Sequence, residues 1–230
     1  MQIHGFQKMT LLDYPGKVAC TMFTAGCNLR CPFCHNAFLV TEIDGSDVWN
    51  EADLLAYLQK RQGVLDGVCI SGGEPLMHPD TLDFIRRIRE LDLSVKLDTN
   101  GCYPDRLHRA IEEGLVDYVA MDIKNSREKY PLTVGVPDFD VRPVEESVAL
   151  LLSGAVDYEF RTTIVAEFHT FEDMEKIGGW IRGAKRYFLQ NFVDSGHLIS
   201  QNVHGVDLAS MKDLQRIAAK YVEKVELRGI

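Results

Sequence analysis

No run in this sequence approaches the roughly 18 uninterrupted apolar residues that cross a bilayer. The first residues, MQIHGFQKMTLLDYPGK, lack the basic start, apolar middle and small-residue exit of a secretory signal, so the expected compartment is the cytoplasm. There is no internal repeat, low-complexity tract or Pro/Ser-rich linker. Basic residues are outnumbered, 25 against 34 acidic, for a net charge of −9. That excludes the broad basic face of a nucleic-acid-binding protein and leaves a nucleotide-sized ligand open. Cysteine is absent between Cys34 and Cys69 and again after Cys102. The chain therefore carries no second cysteine group for an auxiliary metal cluster.

What is present is ordinary globular material: 230 residues, 46% hydrophobic and 26% charged, enough for one domain with a substantial core. Short apolar runs at residues 18–23, 67–70, 94–97, 116–121, 158–165 and 187–190 alternate with stretches of helical periodicity at 51–59, 80–90, 104–113, 145–152, 171–181 and 208–221. Strand–helix alternation predicts βαβ units around a parallel sheet. Six units predict an α/β fold, a partial (βα)6 TIM-like barrel, since a full eight-unit barrel typically takes about 250 residues. An open doubly wound sheet is the competing architecture. The polar motifs follow the strands, and in parallel α/β folds the carboxyl ends of the strands share one rim.

The first motif is Cys27-Asn-Leu-Arg-Cys31-Pro-Phe-Cys34-His35. Three thiols on one loop suit an iron–sulfur cluster or zinc. Three cysteines would leave one iron of a four-iron cluster free for a ligand; three cysteines with His35 would make a closed zinc site. Cys20, Cys69 and Cys102 read as strand or strand-end residues. Ser71-Gly72-Gly73-Glu74-Pro75 follows the second strand; its glycines allow close backbone approach and Glu74 offers an anion, though such a run also serves as a plain turn. Asp98-Thr99-Asn100-Gly101 and Asp122-Ile123-Lys124 place two carboxylates, a hydroxyl and an ammonium on the same rim. Alternation aims Arg161 and Thr163 at one face of the fifth strand.

C-x3-C-x-aromatic-C, with Phe33 as the aromatic, resembles the signature of the radical S-adenosylmethionine (SAM) enzymes. The later motifs follow in that family's order over roughly the whole chain. The resemblance implies a [4Fe–4S] cluster on Cys27, Cys31 and Cys34, with SAM chelating the fourth iron. It implies SAM contacts from Phe33, His35, Gly72, Gly73, Glu74, Asp98, Thr99, Asn100, Lys124, Arg161 and Gln190. Glu74 would meet the SAM ammonium, and Asp98, Thr99 and Asp122 would hold a monovalent cation, sodium or potassium, beside the SAM carboxylate. Where pyruvate formate-lyase activases have a histidine after the sixth strand, this chain has Gln190-Asn191. His4, His78, His108, His169, His197 and His204 carry no readable signal.

Within the family the chain is most similar to the glycyl-radical-enzyme activases, and among them to the activating proteins of anaerobic ribonucleoside-triphosphate reductase. Cys34-His35-Asn36, the short length and LDYPGK at 12–17 support that subgroup. The resemblance implies one radical SAM domain over residues 1–230, reductive cleavage of SAM, and hydrogen abstraction from a glycine of a partner glycyl radical enzyme. Flavodoxin or ferredoxin would donate the electron; nucleic acid and membrane are not expected partners. A radical SAM enzyme on a small molecule, such as 7-carboxy-7-deazaguanine synthase, and a non-catalytic zinc module are the alternatives.

Overall fold

The computed structural model describes residues 1–41, 43, 48–194, 196, 198–200 and 202–230. His197 lies outside the described residues. The framework is one sheet whose strands lie side by side in chain order: β1 (Ile3–Thr10), β2 (Ala19–Thr24), β3 (Gly67–Gly72), β4 (Ser94–Thr99), β5 (Tyr118–Asp122), β6 (Asp157–Ile164), β7 (Arg186–Asn191) and β8 (Lys224–Arg228). Strands β2 to β8 are parallel, and β1 runs antiparallel to β2.

The crossovers carry α1 (Phe38–Thr41), α2 (Glu51–Lys60), α3 (Thr81–Arg89), α4 (Pro104–Glu112), α5 (Tyr130–Val134), α6 (Arg142–Leu152), α7 (Phe171–Trp180) and α8 (Leu208–Ala218). The six expected strand–helix units are β2 to β7 with their helices. The sequence reading misses β1 and β8, which flank that set. Helix starts follow local chemistry. Proline opens α4 and α6, where its missing N–H costs nothing. Thr170 and Asp173 cap α7 reciprocally.

Alternation divides the strands into two faces. Val68, Ile70, Val95, Leu97, Val119, Met121, Phe160, Tyr187 and Leu189 are fully buried in the core, together with Leu54, Phe84, Ile85, Leu107, Val148, Ile177 and Met211 from the helices. The other face is polar. Ser71, Asp98, Asp122, Arg161, Thr163 and Gln190 line a cavity of about 280 Å3 with the loops at the strands' carboxyl ends. Lys96, Asp98, Glu159, Arg161, Gln190 and Arg228 line a second cavity of about 560 Å3. Asp98, Arg161 and Gln190 belong to both, forming a partition between them.

Candidate active site

The loop after β2 brings Cys27, Cys31 and Cys34 to the first cavity. Backbone bonds fix its path: Gly26 N–H donates to Leu39 O at 2.7 Å and Arg30 N–H to Val134 O at 2.9 Å. The Arg30 guanidinium turns back onto the carbonyls of Cys27 and Leu29, at 2.7 and 2.8 Å. All three thiols are free. Burial pushes the Cys27 thiol up to about 11 and Cys31 to about 12, and raises Cys34. They are neutral at pH 7 without metal, so ligation releases protons. Zinc draws its ligands to within about 2.0–2.3 Å of one point. Among the described residues no three His, Cys, Asp or Glu side chains converge in that way. Three thiols lining one cavity suit an iron–sulfur cluster.

The turn after β3 forms the facing wall. Gly72 and Gly73 line the cavity. Gly72 has φ of +112°, which disfavours any side chain, and a Cβ on Gly73 would lie 1.9 Å from Gly26 O. Asn36 Nδ2 donates to Gly72 O at 3.0 Å, tying the cysteine loop to this turn.

The expectation for Glu74 needs correction. Its side chain is fully buried and does not line the cavity. Its carboxylate accepts from Leu76 N–H at 3.0 Å, Thr99 Oγ1 at 2.9 Å and Asn100 N–H at 2.7 Å. Through these bonds Glu74 joins the turns after β3 and β4.

A chain of charges crosses the cavity wall. Asp98 accepts from Ser71 Oγ at 3.0 Å and Arg161 Nη1 at 3.1 Å, and pairs with the Lys96 ammonium. Arg161 Nε reaches Asp122 Oδ1 at 2.9 Å, and Lys124 Nζ reaches Asp122 Oδ2 at 2.9 Å. Burial opposes ionisation of Asp122, but Arg161 and Lys124 outweigh it and hold the carboxyl far below its usual range. Burial likewise opposes the Lys124 ammonium, and Asp122 outweighs it, raising Lys124 above the ordinary lysine range.

The monovalent-cation site expected on Asp98, Thr99 and Asp122 does not fit this arrangement. Both carboxylates are taken by the chain's own cations. The Thr99 hydroxyl donates to Glu74 and accepts from Gly101 N–H at 3.1 Å.

Phe33 and His35 both line the cavity. Phe33 packs on Phe168 at 5.6 Å, and His35 on Phe192 at 5.4 Å between ring centres. His35 Nε2 is buried without a hydrogen-bond partner among the described residues. An orphaned ring nitrogen at a cavity wall fits a polar ligand there. Asn100 lines the same wall, donating to Asn28 Oδ1 at 2.9 Å. Gln190 lines the cavity, whereas Asn191 is held by the backbone of Val206 through both ends of its amide, at 2.9 and 3.0 Å.

The sequence reading overlooked two further residues. His169 is buried, with Nδ1 accepting from Val165 N–H at 3.1 Å and Nε2 at 2.8 Å from Lys124 O, so it fixes the strand end that carries Lys124. Lys96 is 3% exposed inside the barrel. Inward alternation from Asp98 was the available signal for Lys96; His169, on the loop after β6, had none.

The profile described as the Radical SAM superfamily matches residues 21–181, which contain every site residue above except Gln190. This chain belongs to the radical SAM superfamily. Its cofactors are accordingly a [4Fe–4S] cluster and SAM, and the three free thiols and the glycine turn fit that pair. A protein of Methanocaldococcus jannaschii named as a glycyl-radical enzyme activating enzyme is 28% identical over 240 residues, covering 99% of this chain and 96% of that one. The pyruvate formate-lyase-activating enzyme of Clostridium pasteurianum is 32% identical over 129 residues, 54% of this chain; the match spans 52% of the activase. Among solved structures, Streptococcus suis SuiB bound to S-adenosylmethionine superposes with a TM-score of 0.68 at 16% identity, over 90% of this chain and 49% of SuiB. At that identity the likeness concerns the radical SAM fold alone. No helix among the described residues is long and apolar enough to cross a membrane.

Proposed function

We propose that this chain is the activating enzyme of a glycyl radical enzyme, with an anaerobic ribonucleoside-triphosphate reductase as its partner. The observation that carries the activase reading is the end-to-end match to the Methanocaldococcus jannaschii protein, over 99% of this chain and 96% of that one. The narrower partner rests on Cys34-His35-Asn36, the short length and the LDYPGK run at 12–17.

Residues 1–230 work as one radical SAM domain in the cytoplasm, with flavodoxin or ferredoxin as the electron source and no nucleic acid involved. Cys27, Cys31 and Cys34 hold the cluster as thiolates and leave one iron to SAM. The Gly72–Gly73 backbone receives the SAM ammonium; Lys124 and Arg161 face its carboxylate. Phe33, His35, Asn100 and Gln190 wall the rest of the cavity. When bound, the cluster and SAM supply hydrogen-atom abstraction from carbon, here from the Cα of a partner glycine. The chain's own work is to bind, orient and exclude water.

The test is anaerobic reconstitution with iron and sulfide, reduction, addition of SAM, and then addition of the reductase. We expect an electron paramagnetic resonance signal of the reduced cluster that changes with SAM, 5′-deoxyadenosine as product, and a glycyl radical on the reductase. Cys31→Ala is expected to lose cluster and SAM cleavage while keeping its circular dichroism spectrum. Zinc uptake with no cluster would overturn the cofactor reading. SAM cleavage with no glycyl radical on the reductase would overturn the partner.

A further inference from the structure

Lys96 stands in the middle of β4, in no sequence motif and outside the cavity of the cysteine loop, yet its side chain is only 3% exposed. Two residues separate it from Asp98, so both side chains enter the barrel from one face of the strand. Its ammonium pairs with Asp98 Oδ1 and lies 3.7 Å from Cys69 Sγ. Burying an ammonium is expensive unless a partner keeps it ionised, and here the partner is a carboxylate on the wall of the cofactor cavity.

The linked charges decide what Lys96 is for. Lys96, Arg161 and Lys124 meet Asp98 and Asp122 in one unbroken chain of ion pairs. Within that chain of pairs three cations meet two carboxylates. Without Lys96, Arg161 would be the one cation left on Asp98 among the described residues. Two further carboxylates, Asp13 and Glu159, line the second cavity with Lys96, and Glu159 also favours the charged form of Arg161. Glu159 is paired with Arg228 at 3.1 Å, and Asp13 accepts from Thr21 Oγ1 at 2.5 Å with no ion pair to Lys96 among the described residues. Each oxygen of Asp98 and Asp122 already accepts from a cation of this chain, so a sodium or potassium ion there would share it and sit beside like charges.

We propose that the Lys96 ammonium is the built-in counter-ion of Asp98, and that it lets this chain bind the carboxylate end of SAM with no monovalent metal ion. The proposal rests on the SAM reading above and assigns Lys96 as a positioning residue. It acts through Asp98 and Arg161, with no contact to the reacting atoms.

The experiment measures SAM affinity by equilibrium dialysis on the cluster-loaded protein, in choline chloride and in potassium or sodium chloride at matched ionic strength. The wild type is expected to hold its Kd within about twofold across the three salts. Lys96→Met is expected to bind SAM about tenfold or more weakly in choline and to recover in potassium, because the ion takes the vacated place. Lys96→Arg, which keeps the charge, is expected to stay insensitive to the salt. A second readout needs no cofactor: in the cluster-free chain, potassium should raise the melting temperature of Lys96→Met and leave that of the wild type unchanged. A wild type that needs potassium or sodium overturns the proposal, even if Lys96→Met fails to fold. So does a folded Lys96→Met that matches the wild type in choline. Absence of SAM binding in every salt would overturn the SAM reading itself, an outcome distinct from salt dependence.

Discussion

Glu74 carries a carboxyl group into a fully buried place among three donors. Burial pushes its pKa up to about 7 from an ordinary 4.5, against the pull of Asn100 N–H, Leu76 N–H and the Thr99 hydroxyl. In an unfolded chain it would ionise near 4.5. Between about 4.5 and 7 the folded state keeps a proton that the unfolded state has released, so rising pH costs stability through that window. The full cost is on the order of 3 kcal/mol above pH 7, and it vanishes below 4.5. Glu74→Gln cannot ionise, and its amide would set a donor against one of the three existing donors. We expect the variant to be the less stable protein at pH 5 and to close the gap by up to about 3 kcal/mol at pH 8. Denaturant titrations of both proteins at the two pH values would show it; a pH-independent difference would contradict it. At this scale the sequence was informative where chemistry is local. Cys27, Cys31 and Cys34 are recognisable by spacing alone, because one loop carries all three. Whether Glu74 points into the cavity or behind it depends on β4, and no spacing within the SGGEP run contains that information. Lys96 differs, because its place two residues before Asp98 in β4 was a readable sign that it faces inward.

Elements were recognisable in proportion to how fully they are covered. Strands β2 to β5 are buried along most of their length and read as apolar runs, and β6 and β7 keep one buried apolar face. β1 is an edge strand whose central residues Gln7, Lys8 and Met9 are exposed, so it shows neither an apolar run nor strict alternation. β8, KVELR, is mostly charged and follows a helix closely enough to read as its tail. The interlock between the loops after β2 and β3 was also invisible, being a tertiary fit of two backbones. Glu74 N–H donates to Gly26 O at 2.8 Å, Gly73 N–H donates to Thr24 O at 2.8 Å, and no room remains for a methyl group on Gly73. Backbone cannot swing aside as a long side chain can. Gly73→Ala should therefore cost about 2 kcal/mol or more, in the range of overpacking, by prying the glycine turn from the cysteine loop. Because the turn also walls the cavity, SAM affinity should fall about tenfold or more, which corresponds to about 1.4 kcal/mol. Chemical denaturation and SAM titration on the same preparation would check both; a variant with wild-type stability and affinity would mean that the loops tolerate separation.

The cavity walls come from the ends of β3, β4, β5, β6 and β7 together with the loop after β2, so a ligand there touches six successive segments of one sheet. Such a ligand exists only for the folded chain, and its binding free energy adds to stability. At a SAM concentration a hundred times Kd the gain is about 2.7 kcal/mol. For a domain of this size each kcal/mol moves the melting temperature by about 2–4 °C, so the cluster-loaded protein should melt roughly 5–11 °C higher with SAM than without. The distribution of the protection is more telling than its size. A metal held by the cysteine loop alone would slow amide exchange there and leave the distant strand ends unchanged. A ligand spanning the rim should slow exchange at the carboxyl ends of β3 to β7 and in the glycine turn, while the edge strands β1 and β8, outside the lining except through their neighbours, exchange as before. Hydrogen exchange on the cluster-loaded protein, with and without SAM, separates the two patterns. Protection confined to residues 27–36 would mean that the charged wall of Asp98, Asp122, Lys124 and Arg161 takes no part in binding.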